Sequence, residues 1–409
     1  MCIRDSKDGS ARLWFAFHHL IIDTVSWRIL KDDLEELYKG HALSDKTSSY
    51  RQWVDAVACY AKAHIEDIPY WQSQLADIPD YNCYKTPHQS ESSIELSAEL
   101  TDQLLHHVNA AYHTEINDLL LTALAYALRD WLGGDCHGVS LEGHGREMID
   151  ETLDVGHTVG WFTTIFPVKL TVSDDIGESI QWIKESLREI PDKGLGYSAL
   201  CQLDNALTLQ ALPGIVFNYL GQFDGKSDED NHWSFSNEPS DNAMDQREQI
   251  QELLTINGSV NHGRLQLSVA LSADSVSLYT FTQAYQARLQ QIIDHCMKHV
   301  DNDQVVFTKS DFPGVSLTTP WLAQFQEMLT DQSYRLQSIY AASSLQRGFI
   351  YHALSEPDDD AYRVQSVLDI NLKLNMDCYR QAWQCVLDCL LYTSPSPRDR
   401  TRSRMPSSA

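Results

Sequence analysis

Residues 13–27 constrain the fold of this chain more than any other stretch. An apolar run, residues 13–17, leads straight into the pair His18-His19. Asp23 follows four residues after the second histidine, and from Trp27 onward Leu30, Leu34, Leu37 and Tyr38 fall on one helical face, with Gly40 placed to end the helix. A strand, a turn and a helix are therefore expected in that order. The strand delivers two imidazoles to the edge of a core. Imidazole is the side chain whose proton moves near neutral pH, so the unit proposes acid–base chemistry.

The rest of 12–300 reads as one continuous α/β body. Asn117 is placed to cap a helix through residues 119–128 that stops at Gly133-Gly134. Residues 139–142 read as a short strand entering Gly143-His144-Gly145, and 161–172, rich in aromatic and β-branched residues, as another. Residues 178–189 read as a helix ending before Pro191, and 215–219 as a short buried strand. Leu265, Leu267, Val269 and Leu271 alternate as on a half-buried strand, 276–281 is expected to be its partner strand, and a long helix over 283–300 closes the body. The polar stretch 225–249 reads as a surface loop.

Charge and composition remove several classes of function. With 31 Lys+Arg against 57 Asp+Glu the net charge is −26, a surface that repels phosphate backbones and anionic lipid, so neither nucleic acid nor membrane is an expected partner. No apolar run is long enough to span a bilayer, and residues 1–6 carry no signal-peptide apolar region, so a cytoplasmic location is expected. Nine scattered cysteines without a CxxC pair suit a reducing compartment. No metal site is expected: adjacent residues of a strand face opposite ways, so His18 and His19 do not share an ion, and there is no HExxH spacing. A GxSxG nucleophile elbow is absent as well.

Several motifs, in order, carry a resemblance. His18-His19 with Asp23 and Ser26-Trp27 looks like HHxxxDxxSW, and Asp118 to Ala123 like DxLLxA. Glu142-Gly143-His144-Gly145-Arg146-Glu147 is EGHGRE. Thr158 to Thr163 matches TVGWFT, with His157 where Arg is usual. Pro191 with Gly194, Gly196 and Tyr197 resembles PxxGxGY, and Phe217 to Gln222 matches FNYLGQ. Together they resemble the epimerization domain of nonribosomal peptide synthetases. HHxxxD also occurs in the sister condensation and acyltransferase families. Ser26-Trp27, EGHGRE and Asn218 to Gly221 point to epimerization instead.

The resemblance implies a two-lobed α/β sandwich like chloramphenicol acetyltransferase, with a channel between lobes and an incomplete N-terminal lobe, so that apolar surface near 13–17 is exposed. It implies an epimerase that inverts the α-carbon of an aminoacyl or peptidyl thioester. The carrier domain, the expected partner, supplies the phosphopantetheine arm, and no cofactor belongs to this chain. Glu142 and His19 are then the catalytic pair facing each other across the channel. Glu142 is the base on one face of the carbon, and His19 is the proton donor on the other face or the stabiliser of the enolate. The two roles exchange with the direction of reaction. His18 is expected to hold the turn. Asp23 is expected to pair with an arginine, Arg146 being one possible partner, in preference to a catalytic role. His144 is expected to orient its neighbours, and Trp27 to support the motif. Asn218 and Tyr219, polar on an apolar strand, are open between touching the substrate or its arm and touching neither. The alternatives are a condensing acyltransferase and a silent carrier-docking domain.

Residues 339–390 resemble the start of a condensation domain, through Ser343, Gln346, Gly348 and His352, continued by Asp360-Ala361-Tyr362 and Tyr379 to Trp383. The expected division is epimerization domain 7–300, linker 301–338 and condensation-domain start 339–390, with neighbouring adenylation and condensation domains on one polypeptide. Residues 1–6 and the Arg/Ser/Pro-rich 391–409 read as non-native sequence, resembling translated sequencing adapters.

Overall fold

The computed structural model describes residues 2–5, 11–86, 89–203, 212–222, 233, 252–332, 334–356, 359, 362 and 365–389. The loop read at 225–249 (Trp233 apart), Asp360-Ala361 and the tail 391–409 lie outside the described residues. The chain divides into two compact units, Met1–Tyr340 and Ala341–Ala409.

The first unit begins with a hairpin, β1 (Cys2–Asp5) and β2 (Ala11–Trp14), followed by α1 (Thr24–Tyr38), α2 (Tyr50–Ala63) and α3 (Ile68–Leu75). Then come β3 (Ser90–Glu95), α4 (Ala98–Asp102), α5 (Ile116–Leu132), β4 (Cys136–Gly143), β5 (Thr164–Thr171), α6 (Ile176–Arg188) and α7 (Leu195–Cys201). Strands β6 (Ile215–Gln222), β7 (Leu254–Asn261) and β8 (Arg264–Leu271) precede α8 (Ser275–Asp301) and α9 (Thr319–Asp331). The second unit contains α10 (Ser344–Ser355), started by a Ser343/Gln346 capping box, and α11 (Met376–Cys389).

Six strands form one mixed sheet in the order β3-β8-β7-β6-β4-β5, parallel at β4–β6 and β6–β7 and antiparallel elsewhere. Helices α5 and α8 pack together against one face. Helix α5 is buried from Asp118 to Leu128, and apart from Asp118 and Thr122 that stretch is made of Leu, Ala and Tyr, as in a helix enclosed by a core. The other face of the sheet is polar, because β7 and β8 alternate: Leu254, Ile256, Val260, Leu265, Leu267 and Val269 point into the core, and the residues between them point out.

The structure departs from the sequence reading at five places. Residues 276–281 are the first turns of α8, not a strand. Asp274 caps that helix through the N–H groups of Val276 and Ser277. Leu278, Phe281, Thr282 and Tyr285 are buried at helical spacing, while Val276 and Tyr279 are 73% and 65% exposed. The hairpin partner of β8 is β7, reached through His262 (φ 50°) and Gly263 (φ 69°), the two positive-φ positions that a tight hairpin needs. Glu115, not Asn117, caps α5, in a reciprocal capping box with Asp118. The strand expected over 13–17 ends at Trp14, and His19 opens a short 3-10 turn, His19–Ile21. Finally, Leu34, Leu37 and Tyr38 do share one face of α1, but that face is exposed; Ser26 and Ile29 are buried instead. Polar anchors at the start of the helix set its rotation.

Leu13, Trp14 and Phe17 are 40%, 53% and 48% exposed, the apolar surface expected there. Part of the linker read at 301–338 is held down: Phe312 packs with Phe307 and Leu322, and the buried Lys184 of α6 donates to both carboxylate oxygens of Asp311 at 2.6 Å.

Candidate active site

Three separate stretches meet at Asp23 and Arg146. Asp23 caps α1, its Oδ1 accepting from the Ser26 N–H at 2.7 Å, and its Oδ2 accepts from the Phe162 N–H at 3.1 Å. Arg146 Nη2 donates to both Asp23 oxygens at 3.1 and 3.2 Å, and to Ser26 Oγ at 3.0 Å. Arg146 Nη1 donates to the carbonyls of Val155 and Thr158, each at 2.8 Å, and the guanidinium carbon lies 3.8 Å from the centroid of the Phe162 ring. Ser26 Oγ in turn donates to the Gly160 carbonyl and accepts from its N–H. HHxxxD, EGHGRE and TVGWFT are thus joined by one buried polar network. The arginine partner expected for Asp23 is Arg146.

Backbone geometry adds to the fit. Gly145 has φ +66°, and a Cβ there would lie 1.7 Å from the Phe162 carbonyl oxygen, so no other residue fits. Ser26 is completely buried and uses its hydroxyl three ways. Ser26→Ala leaves the Gly160 groups without that partner, and an unfolding titration should show a loss of about 1–3 kcal/mol.

Glu142 stands near the end of β4, on the face of the sheet away from α5 and α8. Asn218 Nδ2 of β6 donates to its Oε2 at 2.7 Å. Burial pushes the Glu142 carboxyl above the usual carboxylate range, and the nearby His19 and the Asn218 bond pull it back only in part. The charge of His19, distant in sequence, acts on the Glu142 carboxyl in the direction that lowers its pKa. The His19 ring stands edge-on to Trp161, with centroids 5.8 Å apart. The Trp161 Nε1–H is buried with no hydrogen-bond partner among the described residues.

The raised pKa also has a consequence for stability. The folded state holds the Glu142 proton more tightly than the unfolded chain, so this group's contribution falls as pH rises from the unfolded pKa through the folded one. At neutral pH the ionised carboxylate is the disfavoured form. Glu142→Gln keeps an acceptor for Asn218 without the charge. A melting curve at pH 7 should therefore show a Tm higher by roughly 1–3 °C.

The other expected residues divide. His18 Nδ1 accepts from the Leu20 N–H at 3.2 Å and holds the turn. His144 accepts from the Arg146 N–H at 3.0 Å and reaches Glu147 Oε1 at 3.0 Å, so it braces the loop. Trp27 packs on Phe17. Tyr219 goes the other way: it faces the core beside Gly258, and burial pushes its hydroxyl up to about 12. Only Asn218 of that pair reaches Glu142. Sequence reasoning missed the carbonyls of Val155 and Thr158 and the N–H of Phe162, because backbone groups leave no mark in residue identity. Among the described residues no group of three or more His, Cys, Asp and Glu is placed to hold a metal ion, and no helix is long and apolar enough to cross a membrane.

A family model described as Condensation domain matches residues 1–311. The chain belongs to the condensation-domain family of nonribosomal peptide synthetases.

Curated relatives of this condensation-family chain include surfactin synthase subunit 1 of Bacillus subtilis (strain 168), 35% identical over 79% of the chain, and bacitracin synthase 1 of Bacillus licheniformis, 32% identical over 92%. The chain spans only 10% and 7% of their respective lengths. Among solved structures, the epimerization domain from the third module of tyrocidine synthetase B is 34% identical with TM-score 0.61, covering 69% of this chain and 68% of that one. VibH, a condensation enzyme of such a synthetase, shares the fold at 16% identity and TM-score 0.50, covering 70% of this chain and 68% of its own. The mixed α/β architecture expected from the sequence is the one these neighbours have.

Proposed function

We propose that the first unit is an epimerase that inverts the α-carbon of an aminoacyl or peptidyl thioester. The observation that carries this reading is the half-buried Glu142 carboxylate, oriented by Asn218 and coupled to His19. An α-proton next to a thioester is weakly acidic, and a base is most effective when its pKa lies near the working pH. Burial moves Glu142 in that direction. Glu142 takes the α-proton, the bonding pair moves onto the thioester oxygen as an enolate, and His19 returns a proton to the opposite face. Glu142 then gives up its proton and His19 regains one by exchange with water. The likeness to the tyrocidine synthetase epimerization domain supports the same reading.

The substrate is held on the phosphopantetheine arm of a carrier domain, with no further cofactor on this chain. The relatives are far longer synthetases, which accords with adenylation and condensation domains on the same polypeptide and with the second unit as the start of a condensation domain. A second reading, amide-bond formation, is favoured by the condensation-domain match itself. Carrier-bound aminoacyl and peptidyl thioesters incubated in deuterium oxide separate the two. Deuterium at the α-carbon with inversion is expected. Unlabelled amide formed with an acceptor amine would overturn the epimerase reading, and neither product would leave a docking role.

A further inference from the structure

The polar face of the sheet continues the site away from Glu142. Asn218, which donates to Glu142, pairs across the ladder with Asn257 of β7; Asn257 pairs with Ser268 of β8, and Ser268 with Ser93 of β3. These side chains form one row on the face opposite α5 and α8, since their neighbours Phe217, Ile256, Leu267 and Ile94 are buried in the core. Asn257, Ser268 and Ser93 are exposed. Thr255 and Ser259 of β7 and Gln266 of β8 flank the row on the same face.

The residue types are unusual for an open sheet face. Asn is depleted in strands, where β-branched and aromatic side chains fit better. The four residues of the row beyond Glu142 are uncharged, and carboxylates enter only at its far end, where Glu91 and Glu95 of β3 flank Ser93. Amide and hydroxyl side chains both donate and accept, which suits them to the alternating N–H and C=O groups of a peptide backbone. Strands lie about 4.8 Å apart, so the four steps from Glu142 to Ser93 span roughly 19 Å, the length of about six extended residues. A single aminoacyl group would reach no farther than Asn218.

We propose that the row Asn218–Asn257–Ser268–Ser93 is a subsite for the peptide chain upstream of the stereocentre, making this unit selective for peptidyl over aminoacyl thioesters. The proposal rests on the epimerase reading for the position of the stereocentre at Glu142, and continuity of the row with that carboxylate is what assigns the occupant. Each backbone amide of the substrate trades water for a fixed Asn or Ser, and the gain grows with chain length until the row is filled.

The test compares two non-hydrolysable probes, an aminoacyl and a tetrapeptidyl pantetheine amide, by calorimetry on the whole chain. The tetrapeptidyl probe should bind at least about tenfold more tightly. Asn257→Leu and, independently, Ser268→Leu should bring the affinity ratio close to one; both substitutions place a strand-compatible residue at an exposed position, and a melting curve checks each fold. Equal binding of the two probes, the result if another polypeptide segment covers the row, overturns the subsite. So does a ratio unchanged in both variants. The two readings fail separately. Tight peptidyl binding without α-deuterium removes the epimerase and leaves the subsite, whereas α-deuterium with equal probe binding does the reverse.

Discussion

Glu142→Gln is expected to slow α-deuterium incorporation into the enantiomer whose α-proton faces it by about 10²–10⁴-fold, the usual contribution of a positioned base. The fold should survive, because Gln offers Asn218 the same acceptor. His19→Ala should act differently. With the enantiomer whose α-proton faces Glu142, it should retain exchange and lose inversion. Glu142→Gln should lose exchange with that enantiomer and keep it with the other. Chiral analysis of labelled product from each pure enantiomer separates the two roles, and identical losses with both enantiomers in both variants would count against a two-base site. The pH profile is a second readout. Burial lifts the Glu142 pKa, so its base form, and the exchange that depends on it, is lost as pH falls through a value above that of an exposed carboxylate. The Asn218 bond opposes the shift. Asn218→Ala should therefore move the acid limb of the profile to higher pH, an effect that a purely structural Asn218 would not produce.

Removing one partner of the Asp23–Arg146 pair should cost about 3–5 kcal/mol, because it strands the other charge in the interior. The two side chains are only 3% and 7% exposed. Arg146→Ala also abandons the Val155 and Thr158 carbonyls, and Asp23→Ala also uncaps α1. Denaturant titrations of both single variants and of the double variant would measure this. The double variant should lose less than the sum of the singles, since each single already breaks the shared contact. A loss below about 1 kcal/mol in both singles would show that the pair behaves like a surface ion pair. Activity should fall with stability, because the network holds the turn bearing His19 against the loop that follows Glu142.

The same network shows why some of the site could be seen in the sequence and some could not. The EGHGRE and HHxxxD motifs marked Glu142, His19, Asp23 and Arg146 as residue types, and EGHGRE also marked the glycine that Phe162 requires at position 145. They did not show that Tyr219 turns into the core while its neighbour Asn218 reaches Glu142. That follows from the strand's period of two and from which face α5 and α8 cover. In 276–281 a short apolar segment fitted two periods equally well, and only the burial of Leu278 and Phe281 at helical spacing separated them. Conversely, β7 passed unnoticed because Asn257, Gly258 and Ser259 at its centre are not the types that usually mark a strand.

From sequence alone come the candidate site residues, the α/β alternation and the glycines that end α1 and α5, since each depends on chemistry within a few positions along the chain. Tertiary structure alone decides the raised carboxyl of Glu142, the bond it accepts from Asn218, the rotation of α1 and the alignment of Asn257 and Ser268 with Asn218. Those properties arise from burial and strand register, which join residues remote in the chain and so have no local sequence signal.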